Sequence, residues 1–324
     1  MRRTTALSPA GQYTDPADLR AAIYRTAAVA RAAEDCLTRH IAEERGFPGF
    51  WHPGYGHEVL QAAVVAGLRP DDWLLPSHRG IGAVFGKGMS LDEIFGDLFC
   101  RTTGSTGGKG AGTVHYCDPS VGVLGMSGTL GGGFVVGAGA ALSCQLLGQD
   151  RVCCHLFGDG TAGRGPFHEA LLEASSWKLP LVLVCENNGW ALSAPFRAHS
   201  PTEHVSDRAA AYGIPGVRVD GGDALAVYEA VSEAVARARE GGGPTLLEAK
   251  VVRRVGHFAG DQQHYRTDLG SLPDDPVARL RRELDGDTAA AIDEESRAAV
   301  DAAYRNALTG PEPGLDVVLR DVWA

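Results

Sequence analysis

The chain has 324 residues, 44% of them hydrophobic and 22% charged, with a formal net charge of -10. This balance suits a soluble globular protein with one large core or two smaller ones. It excludes broad binding to nucleic acid or to an anionic membrane surface, so any anion site has to be built locally. The cysteines at 36, 100, 117, 144, 153, 154 and 185 contain no C-x-x-C pair and lie mostly in apolar runs, as the reduced core thiols of a cytoplasmic protein do. The opening MRRTTALSPAGQYTDP is basic without the apolar run of a signal peptide, and no stretch reaches the length of a membrane span.

In chain order, residues 1–17 read as a loose arm. From Asp18 to Glu44 apolar residues recur at helical spacing (Ile23, Ala27, Ala30, Leu37, Ile41), which predicts a long amphipathic helix. The aromatic, glycine-rich GFPGFWHPGYGHE follows, then a helix in EVLQAAVVAGL, a short strand in DDWLLPSHRG that enters a loop, and a helix in LDEIFGDLFCR. Residues 104–139 are dense in glycine, but the interspersed Val, Leu, Met and Phe argue against a linker and for backbone packed closely on a neighbour. The apolar run VCCHLF, a helix from Pro166 to Trp177, the run LVLVC, the strand GVRVD, a helix in ALAVYEAVSEAVARARE and the strand TLLEAKVV complete the core. Strands alternating with helices predict an α/β fold whose mostly parallel sheet carries helices on both faces. The main domain spans 18–275, and 276–324 reads as a helical tail outside the sheet.

Two polar loops leave strand ends, GDGTAGRG and ENNGWALS, and ligands of open parallel sheets bind beyond such ends. The helix after GDG turns its amino end toward a place where a phosphate could rest. Asp159 repels a phosphate, so a divalent cation between them is the economical arrangement. Magnesium takes carboxylate, amide and phosphate oxygens, and Asn188 offers an amide oxygen from the neighbouring loop.

GDG, twenty-six residues and NN, with strand, helix and strand in order, match the signature of thiamine diphosphate enzymes. Together with WKLPLVLVCENNGWALS, AYGIPGVRVDG and GHFAGDQQHYR, the chain resembles the alpha subunit of the thiamine-dependent component of 2-oxoacid dehydrogenase complexes, and most closely the acetoin dehydrogenase branch. The resemblance implies a thiamine diphosphate-binding fold with Asp159, Asn188 and the carbonyl of Trp190 as magnesium ligands. It implies that His78, Arg79, His257 and the Gly158, Gly160 and Thr161 backbone hold the diphosphate, that Gly128 and Leu130 grip the aminopyrimidine, and that Leu192 bends the cofactor. GFWHPGYGHE aligns on the family's G-F-x-H-x-x-x-G-x-E, which makes Phe50, His52 and His257 candidates for the catalytic, substrate-facing side. The glutamate that starts the cofactor's chemistry comes in this family from a separate beta subunit, so the resemblance implies a heterotetramer of two alpha and two beta chains. Acyl groups cleaved from a small-molecule substrate would then pass to the lipoyl arm of an acyltransferase.

The sequence departs from the family at Gly163, which stands at an asparagine position, and at Ile81 and Ala83, which replace two histidines of HRGHGH. These last two are expected at the pocket edge, where they favour an altered acceptor and keep open a second reading, a carboligase of secondary metabolism. A third reading is a non-catalytic scaffold. Phe258 stands at the phosphorylatable serine position of mammalian relatives. His115 and His168 read as structural, Cys153 and Cys154 as packed in a buried strand, and RLRREL as a solvated helix face.

Overall fold

The computed structural model describes residues 13, 15–43, 46–110, 115–126 and 128–320, so the predicted arm lies almost wholly outside the described residues. Helix α1 (Pro16–Ala42) starts where Asp15 accepts a hydrogen bond from the Ala17 N–H and Pro16 fills the first turn. It buries Ile23, Ala27, Ala30 and Leu37, the stripe read from the sequence. Helix α2 (Glu58–Ala66) is buried along its whole length, and β1 (Trp73–Leu75) leads into α3 (Ile81–Lys87) and α4 (Leu91–Leu98).

Helix α5 (Gly132–Leu146) occupies the end of the glycine-rich stretch, where the sequence pointed to close packing without pointing to a helix. A Cβ at Gly133 would lie 2.5 Å from the His155 ring, so glycine is what lets α5 approach the sheet. Strand β2 (Cys153–Gly158), α6 (Gly165–Trp177) and β3 (Leu181–Asn187) form a strand–helix–strand unit. A two-stranded ribbon of β4 (Trp190–Ala191) and β5 (Ala194–Pro195) and the short α7 (Phe196–His199) follow, then β6 (Gly216–Asp220), α8 (Ala224–Arg239) and β7 (Thr245–Lys250). The chain closes with α9 (Pro276–Arg282) and α10 (Gly286–Thr309).

The five-stranded sheet runs β1-β2-β3-β7-β6 and every pairing in it is parallel. Successive side chains of a strand face opposite sides. Accordingly Cys154, Leu156, Val182 and Val184 join a core with α1, α2 and α8, while Cys153, Phe157, Leu181, Leu183 and Cys185 join a second core with α5 and α6. The predicted helices on both faces are thus present. Helices α9 and α10 add Val277, Leu280, Ile292 and Val300 to the larger core, so the tail packs against α1 as part of the same hydrophobic body.

Two expectations are corrected. Trp177, which helical spacing from Phe167, Ala170, Leu171 and Ala174 predicts on the apolar face of α6, is 51% exposed at the last residue of the helix. Ile81 and Ala83, expected at a pocket edge, are both buried in the larger core, where α3 packs on α1 and α2.

Candidate active site at the strand ends

Register between β2 and β3 pairs Gly158 with Glu186, so the two polar loops leave the sheet side by side. Asp159 is 1% exposed, and its Oδ2 has no hydrogen-bond partner among the described residues. Burial pushes its carboxyl above the usual range, against the pull of His199 and of the Asp159 and Asn188 backbone N–H groups. A buried, unpartnered carboxylate oxygen is a costly arrangement for a chain to keep empty-handed, and it is what one ligand of a hard cation looks like without the cation.

Asn188 is held by both ends of its amide. Its Oδ1 accepts from the Trp190 N–H at 3.1 Å, and its Nδ2 lies 3.5 Å from His57 Nε2. His57 Nδ1 is in turn 3.6 Å from Glu186 Oε1, which also accepts from Gln61 Nε2 at 2.9 Å. Burial alone would raise Glu186, yet the His57, Ser77 and Gln61 donors hold it below the usual carboxylate range. The loops touch at Gly160, where a Cβ would meet the Ala191 Cβ at 2.7 Å. No larger residue fits there without parting them.

On the other side stand three imidazoles. Ring centroids of His52 and His257 are 4.8 Å apart, of His52 and His78 5.0 Å, and of His78 and His257 5.9 Å. His52 Nδ1–H donates to the His257 carbonyl at 2.9 Å, and His78 Nε2 is buried without a hydrogen-bond partner among the described residues. Arg79, 3% exposed, donates from Nη2 to the His257 carbonyl at 3.0 Å and to His257 Nδ1 at 3.1 Å, and from Nη1 to the Pro53 carbonyl. Burial, reinforced by Arg253, pushes the Arg79 guanidinium down to about 10. Burial and then Arg79 lower all of the imidazoles, His78 well below its ordinary value and His257 to about 3.

All three histidines are therefore neutral near pH 7, and the sign of their linkage follows. Their folded values lie below the ordinary 6.5, so between the two values the unfolded chain takes up protons that the folded one refuses. Stability of the empty chain is full above about pH 6.5 and falls as the pH drops through that window toward 3. Thermal melts at stepped pH check this, and His257→Gln should flatten part of the slope.

His78, Leu130, Gly158 and Thr161 line one small cavity enclosing about 30 Å³, with Thr129 and His155 beside them. Gly128 packs against His115, where a Cβ would lie 3.2 Å from Nε2, and it is not among the residues lining that cavity. Phe50 is 66% exposed and meets Phe258 edge-on at 6.2 Å. Leu192 is 54% exposed at φ 56°, a left-handed conformation that leucine adopts only under constraint. The constraint is Arg253, fully buried, whose two terminal nitrogens donate to the Leu192 carbonyl at 3.1 Å each and to Tyr265. Sequence reasoning passed over Arg253. It also passed over Glu34, whose buried carboxylate accepts from the Gly54 N–H at 2.7 Å and underpins the His52 loop. A charged pair directly after an apolar strand, as in KVVRRVGHF, was the available signal.

The chain matches the family described as "Dehydrogenase E1 component" over residues 24–315. It belongs to that family. The match extends past 275 into α10, in keeping with the packing of that helix on α1. The alpha subunit of acetoin:2,6-dichlorophenolindophenol oxidoreductase from Bacillus subtilis is 45% identical over 220 residues, which cover 68% of this chain and 66% of that one. Its counterpart from Cupriavidus necator is 38% identical over 318 residues, 93% of each chain. The pyruvate dehydrogenase E1 component subunit alpha of Porphyra purpurea is 31% identical over 93% of this chain and 92% of its own. These relatives are all alpha subunits, which places the chain on the alpha side of the E1 dehydrogenase family.

Proposed function

We propose that this E1 alpha chain binds thiamine diphosphate through Mg2+ and, with a separate beta subunit, cleaves acetoin or a small 2-oxoacid beside its carbonyl, passing the acyl group to lipoamide. The carrying observation is the orphaned, buried Oδ2 of Asp159 facing the loop that holds Asn188. Asp159 and the Asn188 amide oxygen would ligate the cation, with the Trp190 carbonyl beside them. The donor set, a carboxylate, an amide and a carbonyl, is the oxygen chemistry magnesium requires.

Bound, the cofactor supplies a stabilised carbanion equivalent, which no side chain here provides. The chain's own part is position and field. Arg79 and the orphaned His78 Nε2–H would donate to the diphosphate, together with the Gly158, Gly160 and Thr161 backbone and His257. Leu192, fixed by Arg253, would offer a bulky apolar side chain to the cofactor, and Gly128 and Leu130 would help to hold its pyrimidine. His52 and His257, neutral at working pH, are able to accept or donate a proton at the substrate. Phe50 would screen that side from water.

A 30 Å³ cavity encloses little more than a water, so a cofactor needs a second wall. Leu130, Val135, Val136, Leu146 and Leu147 are each 49% exposed or more on the α5 side of the molecule, an apolar surface that suits a beta subunit. A heterotetramer of two alpha and two beta chains, served by a lipoyl-bearing acyltransferase, follows from that reading, and the seven free cysteines suit the cytoplasm. Ile81 and Ala83, now in the core, no longer favour a carboligase.

The test is dye reduction by the co-purified alpha–beta pair with thiamine diphosphate, Mg2+ and either acetoin or a 2-oxoacid. Turnover with at least one donor, and acetyl transfer to free lipoamide, are expected. Cofactor binding without dye reduction on any donor would overturn the dehydrogenase assignment.

A further inference from the structure

Asp159 Oδ2 has a neighbour that the oxygen ligand set does not use. His199, at the end of α7, brings its Nε2 to 3.9 Å from Asp159 Oδ2. Both atoms are buried, and neither has a hydrogen-bond partner among the described residues. The two are therefore facing ends of a gap, too long for a direct hydrogen bond. Ligand atoms around one octahedral cation, each about 2.1 Å from it, stand about 3.0 Å apart when adjacent and about 4.2 Å apart when opposite. The 3.9 Å gap is nearest the opposite spacing, which would put the cation between the two atoms.

His199 is also held to this place. The Phe196 N–H donates to the Gly189 carbonyl at 2.8 Å, which ties α7 to the Asn188 loop. The imidazole packs edge-on against Phe196 at 5.4 Å, and Lys250 covers the far side of Phe196 at 5.9 Å. Magnesium gains little from a nitrogen ligand, whereas Mn2+, Co2+ and later first-row ions bind imidazole in addition to carboxylate oxygen.

We propose that His199 is a further ligand of the cofactor's divalent cation and tunes the site toward manganese-class ions over magnesium. The proposal rests on the cation site read at Asp159 and Asn188, and goes beyond it by adding a nitrogen donor. His199 would take a position otherwise filled by water.

The experiment titrates Mn2+ and Mg2+ into the alpha–beta pair with thiamine diphosphate present, and records electron–nuclear double resonance of the bound Mn2+. The wild type should give a directly bonded nitrogen coupling and prefer Mn2+. In His199→Gln and His199→Ala the coupling should vanish and the Mn2+ over Mg2+ preference should shrink about tenfold, the scale on which a ligand-shell change alters metal affinity. Melting of the cation-free pair shows whether each variant is folded, and two different side chains guard against one failing. A bound Mn2+ with no nitrogen coupling, or a preference unmoved in both variants, would overturn the role of His199 while leaving the cofactor reading intact. Absence of any cation binding in the wild type would overturn both.

Discussion

Replacing Asp159 by alanine should abolish Mg2+-dependent binding of thiamine diphosphate and make the empty chain harder to melt. The two effects share one cause. The carboxylate is buried and its Oδ2 unpartnered, so without a cation it destabilises the fold, and burial raises its pKa above the ordinary 3.8. A raised carboxyl means that the folded chain binds the proton more tightly than the unfolded one, so stability of the empty chain falls as pH rises from about 3.8 through the raised value. Alanine removes that slope. With ligand at about one hundred times its dissociation constant the wild type should gain about 2.7 kcal/mol, and the variant none. Melting curves at pH 7 with and without cofactor and Mg2+ read both effects.

Arg79→Leu should cost more stability than any other single change at the site. Its guanidinium satisfies the buried carbonyl of Pro53, which left unpaired costs about 1 to 3 kcal/mol, and shares the half-buried His257 carbonyl with His52 Nδ1–H. It also opposes the charge of buried Glu34, whose carboxyl burial already pushes well above its usual range. Arg79→Lys separates charge from geometry. An ammonium keeps the cation but cannot span Pro53 and His257 together, so the variant should fold, lose about half of the stability effect, and bind the cofactor at least tenfold more weakly. Denaturant unfolding and a cofactor titration of both variants check the order wild type, lysine, leucine.

The parallel sheet was legible because buried strands write short apolar runs and the helices between them keep a helical period. The two polar loops at adjacent strand ends were legible because a carboxylate between glycines at a strand end has no packing purpose. Helix α5 was not: five of its positions are glycine or serine, and it lies close on the sheet through Gly133 against β2 and Gly137 against β1 and β3, contacts no local pattern encodes. Ile81 and Ala83 were misplaced for a similar reason. Their neighbours in sequence, His78 and Arg79, face the site, but α3 begins at Ile81 and turns the next residues into the core. Glu34, His57, Glu186 and Arg253 stand behind the site residues, joined to them only by contacts between distant segments.

The proposed chemistry requires that this chain grip thiamine diphosphate through a cation at Asp159 and Asn188. Isothermal titration of thiamine diphosphate into the alpha–beta pair, with Mg2+ and again with a chelator, tests that directly. One cofactor per alpha chain, bound with Mg2+ and lost on chelation, is the predicted result. Binding that ignores the cation, or no binding in either condition, would contradict it.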